Sequence, residues 1–166
     1  MSKPGTAFAP PGLLGTWRLY QSAEYSGCNM AFNTACLGRT YGADWQELDR
    51  QRHLAYLLAV TGEQQRFDAE RPLACFAAVY LLWPIVPLLF SDPNVGLDLT
   101  RLLHGEQEFW FDRPMEFGER VKPTGIISRA EERRGMVFLE LTCHGEDGAG
   151  HTIAHSRSLF LVRGAP

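Results

Sequence analysis

The sequence predicts an α+β fold in which one curved antiparallel sheet wraps around a single apolar helix. Three observations carry this expectation. Leu73 to Phe90 (LACFAAVYLLWPIVPLLF) is an eighteen-residue run with no charged side chain and no polar group except the Tyr80 hydroxyl. Helical patterning is confined to the chain ahead of this run and within it. Beyond Leu103 a two-residue period takes over, and helices followed by a run of long antiparallel strands is the α+β order.

The apolar run would just reach across a bilayer as a helix, which takes about 20 residues at about 1.5 Å rise. Pro84 and Pro87 argue against that, because each removes a backbone donor and clashes with the preceding turn, at about 3 kcal/mol inside a helix. The expectation is therefore a core helix from Leu73 to Trp83, covered by protein on every face, then an extended buried exit from Trp83 to Phe90, and no membrane span. Ahead of it, residues 1–36 are rich in Gly, Pro, Ser and Asn and read as an irregular arm. Trp17 and Tyr20 are its candidate docking side chains. The domain proper is expected over residues 37–166.

Leu37 to Tyr41 reads as a short strand. Asp44 with Glu47 three residues on forms a capping box, starting a helix (WQELDRQRHLAYLLAV) with Trp45, Leu48, Ala55, Leu58 and Ala59 near one buried stripe and His53 on the polar side. Gly62 supplies the positive φ of a C-terminal cap. A polar connection leads to Pro72, well placed as the first residue of the core helix. After a turn at Ser91 to Asn94, the strands follow. In Leu103 to Arg113, Phe109 and Phe111 alternate with Glu108, Trp110 and Asp112. Val121 to Arg129 is a second strand, and a turn at Glu131 to Gly135 leads into Met136 to His144, where Val137, Leu139, Leu141 and Cys143 share a face. His151 to Arg163 is apolar on both sides at its end, as a central or interface strand would be. A wholly apolar helix with strands that have one apolar face is best satisfied by the hot-dog architecture.

Composition narrows the function. At 166 residues, 45% hydrophobic and 21% charged, the chain fits one globular domain with a sizeable core. A net charge of -3 and the absence of a Lys/Arg patch give no footprint for nucleic acid. Cys28, Cys36, Cys75 and Cys143 form no CxxC pair and read as reduced thiols, which fits a cytoplasmic protein. Pro4, Pro10 and Pro11 interrupt the N-terminal stretch, so no secretory signal is expected. No two histidines are spaced as metal ligands on one element, so neither a metal nor a cofactor is expected. His104 and His155 lie within strands; His53, His144 and His151 are expected at the surface.

Leu103 to Val121 (LHGEQEFWFDRPMEFGERV) and Ser156 to Gly164 (SRSLFLVRG) resemble the MaoC-like hot-dog family. Within it, they are similar to the N-terminal, fatty-acid-synthase-type dehydratase domain. That group includes accessory subunits of heterodimeric (3R)-hydroxyacyl thioester dehydratases and the N-terminal halves of two-domain hydratases. Leu37 to Tyr41, before a helix ending at Gly62, is similar to the family's opening strand and helix, so the resemblance spans about residues 37–164.

Catalytic members of the wider family carry Gly-Asp-x-Asn-Pro-x-His after that helix. The Asp and His activate the water that adds across an enoyl thioester, and helix N-terminal amides polarise its carbonyl. In Gly62 to Asp68 (GEQQRFD), Glu63 stands in the Asp slot, Gln65 in the Asn slot, Arg66 in the Pro slot and Asp68 in the His slot. A carboxylate with a pKa near 4 shuttles protons poorly at pH 7 beside an imidazole near 6.5. Glu63 and Asp68 are thus either a degenerate catalytic pair or solvated loop acids.

The resemblance implies a subunit that binds acyl-CoA or acyl carrier protein thioesters through Pro72, Leu73, Ala74, Phe76, Ala77 and Tyr80. It would work as a homodimer, or as a heterodimer with a catalytic MaoC-like subunit. A self-sufficient hydratase or thioesterase and a non-enzymatic acyl-thioester binder stand as alternatives. For Phe76 and Tyr80, plain core packing is the competing reading.

Overall fold

The structure, a computed structural model, describes residues 32–62 and 70–163. Two short strands come first, β1 (Thr40–Gly42) and β2 (Gln46–Glu47), then the helix α1 (Arg50–Thr61). The apolar run folds as a 3-10 turn (Ala74–Phe76), a π-helical segment (Ala78–Leu82) and a short helix α2 (Val86–Phe90). Four long strands complete the fold: β3 (Leu102–Phe111), β4 (Arg120–Arg133), β5 (Met136–Glu146) and β6 (Thr152–Arg163). They pair antiparallel in the order β1-β4-β5-β6-β3, with β2 also on β4. This is the α+β hot-dog fold, with the core run lying on one face of the sheet.

The long strands form where the two-residue period predicts them, except that β4 runs on to Arg133, through the first part of the turn expected at Glu131 to Gly135. Along β5, Val137, Leu139, Leu141 and Cys143 are buried, the face expected from the sequence. The β4–β5 hairpin closes through Arg134 and Gly135, both at positive φ (54° and 72°). Two such residues make the turn whose twist matches the strands it joins. β6 lies between β5 and β3 and buries Ala154, Ser156, Ser158, Phe160 and Val162 toward the core. Its two-sided apolar end is that of a central strand.

The core run sits close on the sheet because the sheet offers glycines beneath it. A Cβ added at Gly125 would lie 2.6 Å from Ile85 Cγ2, and one at Gly145 would lie 2.7 Å from Val121 Cγ1 and 3.1 Å from Leu81 Cδ1. Leu81 and Ile85 are fully buried there. The far side of the run is less covered than expected, since Trp83 is 48% exposed and Leu88 41%.

Several local expectations are corrected. α1 starts at Arg50, not after Asp44: the Asp49 carboxylate accepts from the amides of Gln51 and Arg52, while Gln46 and Glu47 are drawn into a bridge with Val121 and Arg120 of β4. The buried stripe is also a different one: with Trp45 and Leu48 outside the helix, His53 and Leu57 face inward and Leu58 is 43% exposed. The C-terminal cap does fall at Gly62, with φ of 72°. Residues 86–90 are helical and not an extended exit, because Pro87 lies in the first turn of α2, where its missing donor breaks no helical bond. Ordered packing also begins ahead of residue 37: Thr34–Cys36 is a 3-10 turn capped by Asn33, and Cys36 is buried in the core.

Candidate substrate cleft

A cleft of about 370 Å³ opens beside the start of the core run. Arg71, Pro72, Leu73, Ala74 and Tyr80 form one wall; Phe111, Asp112, Arg113, Pro114 and Met115, at the end of β3 and in the loop after it, form the other. The wall residues are mostly apolar, with a few polar groups at defined places, the usual make-up of a small-molecule site. The adjoining π-helical turn, closed by Trp83 N–H donating to Ala78 O at 2.8 Å, belongs to a class of distortion that often accompanies functional sites.

The loop wall is held by charge. Arg113 Nη1 donates to Glu119 Oε1 at 2.6 Å and to Pro114 O at 3.2 Å, and Glu119 Oε2 accepts from the Glu116 amide at 3.1 Å. Arg71, on the opposite wall, approaches Glu116 at 3.8 Å. At the rim, Asp112 lies 3.4 Å from His155 Nε2, and the His155 ring meets His144 edge-on at 5.6 Å. Tyr80 reaches the cleft from a buried position, and that burial, reinforced by Glu119, raises its phenol pKa, so the hydroxyl keeps its proton.

Pro72, Leu73, Ala74 and Tyr80 of the anticipated binding set therefore line one cavity. Phe76 and Ala77 do not: at 1% and 0% exposure they are packed into the core beneath it. Glu63 and Asp68 lie outside the described residues. Among the described residues, no group of three or more His, Cys, Asp or Glu side chains is placed to hold a metal ion. Nor is any helix there long and apolar enough to cross a membrane.

The side chain that sequence reasoning missed is His53. It is 1% exposed, and its Nε2 accepts the Leu73 amide proton at 3.1 Å. Its ring stands edge-on to Phe76 (5.0 Å) and Phe117 (5.2 Å). The available signal was its spacing of four from Leu57, the other buried residue of α1, which puts both on one face. The Leu73 amide, at the head of the core run, is taken by this bond.

The pattern describing the FAS1-like, dehydratase domain region matches residues 43–156. The chain belongs to that family. A UPF0336 protein of Thermobifida fusca is 31% identical over 147 residues, covering 81% of this chain and 96% of the relative. One from Saccharopolyspora erythraea is 30% identical over 87 residues, or 52% of this chain, and there the chain spans only about half of the relative, 56%. Among solved structures, a C-terminally truncated HadBC (3R-hydroxyacyl-ACP dehydratase) complex from Mycobacterium tuberculosis superposes with a TM-score of 0.62 at 14% identity, covering 76% of this chain and 96% of that one. At that identity the likeness speaks for the fold.

Proposed function

We propose that the chain is the acyl-thioester-binding, non-catalytic subunit of a (3R)-hydroxyacyl-CoA or acyl-carrier-protein dehydratase or hydratase, working beside a hot-dog subunit that carries the catalytic Asp and His. The observation that carries this reading is the cleft at the head of the core run, lined mostly by apolar side chains together with Arg71, Asp112 and Arg113. The Gly62 to Asp68 run supports the non-catalytic half, since it holds carboxylates and amides but no imidazole. Losing that imidazole forfeits the about 10²- to 10⁴-fold that a positioned acid-base group contributes. HadBC, a complex by its own description, is a precedent for pairing within this fold.

The test is loss of enoyl absorbance from crotonyl-CoA, run on the purified chain and on Glu63→Gln and Asp68→Asn variants, together with direct measurement of crotonyl-CoA binding. Binding without turnover is the expected result. Turnover by the chain alone that both variants abolish would make these two acids the catalytic pair and sink the accessory reading. One observation favours the second reading, a self-sufficient hydratase: Asp112 lines the cleft with His155 at 3.4 Å. Under it, His155→Ala would abolish a turnover that the wild-type chain displays unaided.

A further inference from the structure

We propose that His53 is the positioning residue of the cleft: while its ring is neutral, it accepts the Leu73 amide proton from between Phe76 and Phe117 and so fixes both walls at once. The proposal rests on the acyl-thioester reading only for what fills the cleft; the clamp itself is a matter of geometry.

α1 delivers the ring. His53 lies one turn past the cap, its own amide donating to Asp49 O at 3.0 Å. The Leu73 N–H points at Nε2 from 3.1 Å, so that nitrogen presents its lone pair and the ring proton resides on Nδ1. The ring packs T-shaped against Phe76, from the segment that supplies Leu73 and Ala74 to the cleft, and against Phe117, from the loop that supplies Arg113 to Met115. A second contact from the same helix face reinforces the first: the Tyr56 hydroxyl, three residues on, donates to Cys75 O at 3.3 Å. α1 therefore holds the backbone at Leu73 and Cys75, on both sides of Ala74, which faces the cavity.

The clamp is sensitive to protonation because an imidazolium has two N–H donors and no acceptor. A proton on Nε2 would confront the Leu73 N–H, and the new charge would be almost completely shielded from water. Among the described residues, the charged groups around the ring do not welcome it. On its own helix, Arg50 places its guanidinium 4.4 Å from the Phe117 ring, and the Asp49 carboxylate is committed to the Gln51 and Arg52 amides. From the cleft loop, Glu116 and Glu119 flank Phe117 but face Arg71 (3.8 Å) and Arg113 (2.6 Å). From the core run the neighbouring ionisable group is Cys75, which is exposed. Burial first, and Arg50 second, hold the His53 pKa below its ordinary value. The ring is then neutral at pH 7, and the clamp is present there and released as pH falls.

The experiment compares the wild-type chain with His53→Gln, which keeps an acceptor that cannot titrate, and His53→Phe, which keeps the ring and removes the acceptor. Two readouts are taken from pH 8 down to pH 5: the protection factor of the Leu73 amide against hydrogen exchange, and the Kd for crotonyl-CoA. In wild type both should weaken on acidification by about tenfold, the scale of one such hydrogen bond. In His53→Gln both should hold steady with pH, and in His53→Phe both should be weak throughout. A Leu73 protection factor in wild type that ignores pH, or a His53→Gln variant that follows the wild-type profile, overturns the proposal. Should crotonyl-CoA bind to none of the three while the Leu73 profiles behave as described, the clamp stands and the acyl-thioester reading falls.

Discussion

Replacing Gly125 with alanine tests how the core run is seated, because the new methyl has nowhere to go. Its Cβ would lie 2.6 Å from Ile85 Cγ2, 3.2 Å from Leu141 Cδ1 and 3.4 Å from Cys143 Sγ, and all three neighbours are fully buried. Ile85 is β-branched and stiff at χ1, so its Cγ2 cannot turn aside cheaply. Overpacking of this kind costs about 1 to 3 kcal/mol. Stiffening the unfolded chain returns about 0.4 to 1 kcal/mol, leaving a net loss of about 1 to 2 kcal/mol. At about 2 to 4 °C per kcal/mol for a chain of this size, Tm should fall by about 2 to 8 °C in calorimetry. Ile85→Ala supplies the control. Alone it should cost about 2 to 5 kcal/mol, but on that background, where only Leu141 and Cys143 still press on the new methyl, Gly125→Ala should cost clearly less than in wild type, so the two changes are non-additive. An unchanged Tm for Gly125→Ala, or an additive double variant, would refute the close seating of Ile85 on the sheet.

Two further outcomes follow from packing and from the sheet edge. Phe76→Ala should lower stability by about 3 to 5 kcal/mol, since the ring is 1% exposed and meets His53, Tyr56 and Tyr80 at 5.0, 5.5 and 5.8 Å; a urea midpoint equal to wild type would contradict its core role. The chain should dimerise, with its own copy or with a partner, through β3, which pairs on one side only among the described residues and exposes Leu103 (55%) and Trp110 (48%). Light scattering that finds a stable monomer at micromolar concentration, alone and with a candidate partner present, would exclude this.

The strands were legible because most obey a simple period: the face Val137, Leu139, Leu141, Cys143 is readable residue by residue, and the two-sided apolar end of β6 marks a central or interface strand without naming its neighbours. The core run was legible as buried but not in its helical detail. Proline reads as a helix stop, yet its cost depends on whether the lost amide had a partner, and Pro87 falls where it had none. α1 was misplaced by five residues at its start because Asp44 and Asp49 are equally good caps locally, and a tertiary bridge to β4 decides between them. Trp45 and Leu48, which had anchored the expected stripe, fall outside the helix, and His53 lies on the face that is buried instead. In the cleft, Pro72, Leu73, Ala74 and Tyr80 were within reach of the sequence because they surround the head of an apolar helix. Asp112 to Met115 were not, since nothing local says which loop the sheet will fold back against that helix.

The described groups that shape the cleft all lie outside the Gly62 to Asp68 run. His53 and Tyr56 hold the head of the core run through its backbone, the His53 ring also meets Phe117 of the facing loop, and Arg113 and Glu119 brace that loop from within. All four act through neutral hydrogen bonds or an ion pair and require no proton transfer. A chain can therefore replace the Asp and His of a catalytic loop without disturbing what holds these walls, whereas replacing His53 or Glu119 would loosen a wall and leave the loop sequence untouched. Binding and turnover are in this sense separable in the fold. That separability is what a division of labour between two subunits requires: one keeps the walls, and the other keeps the imidazole.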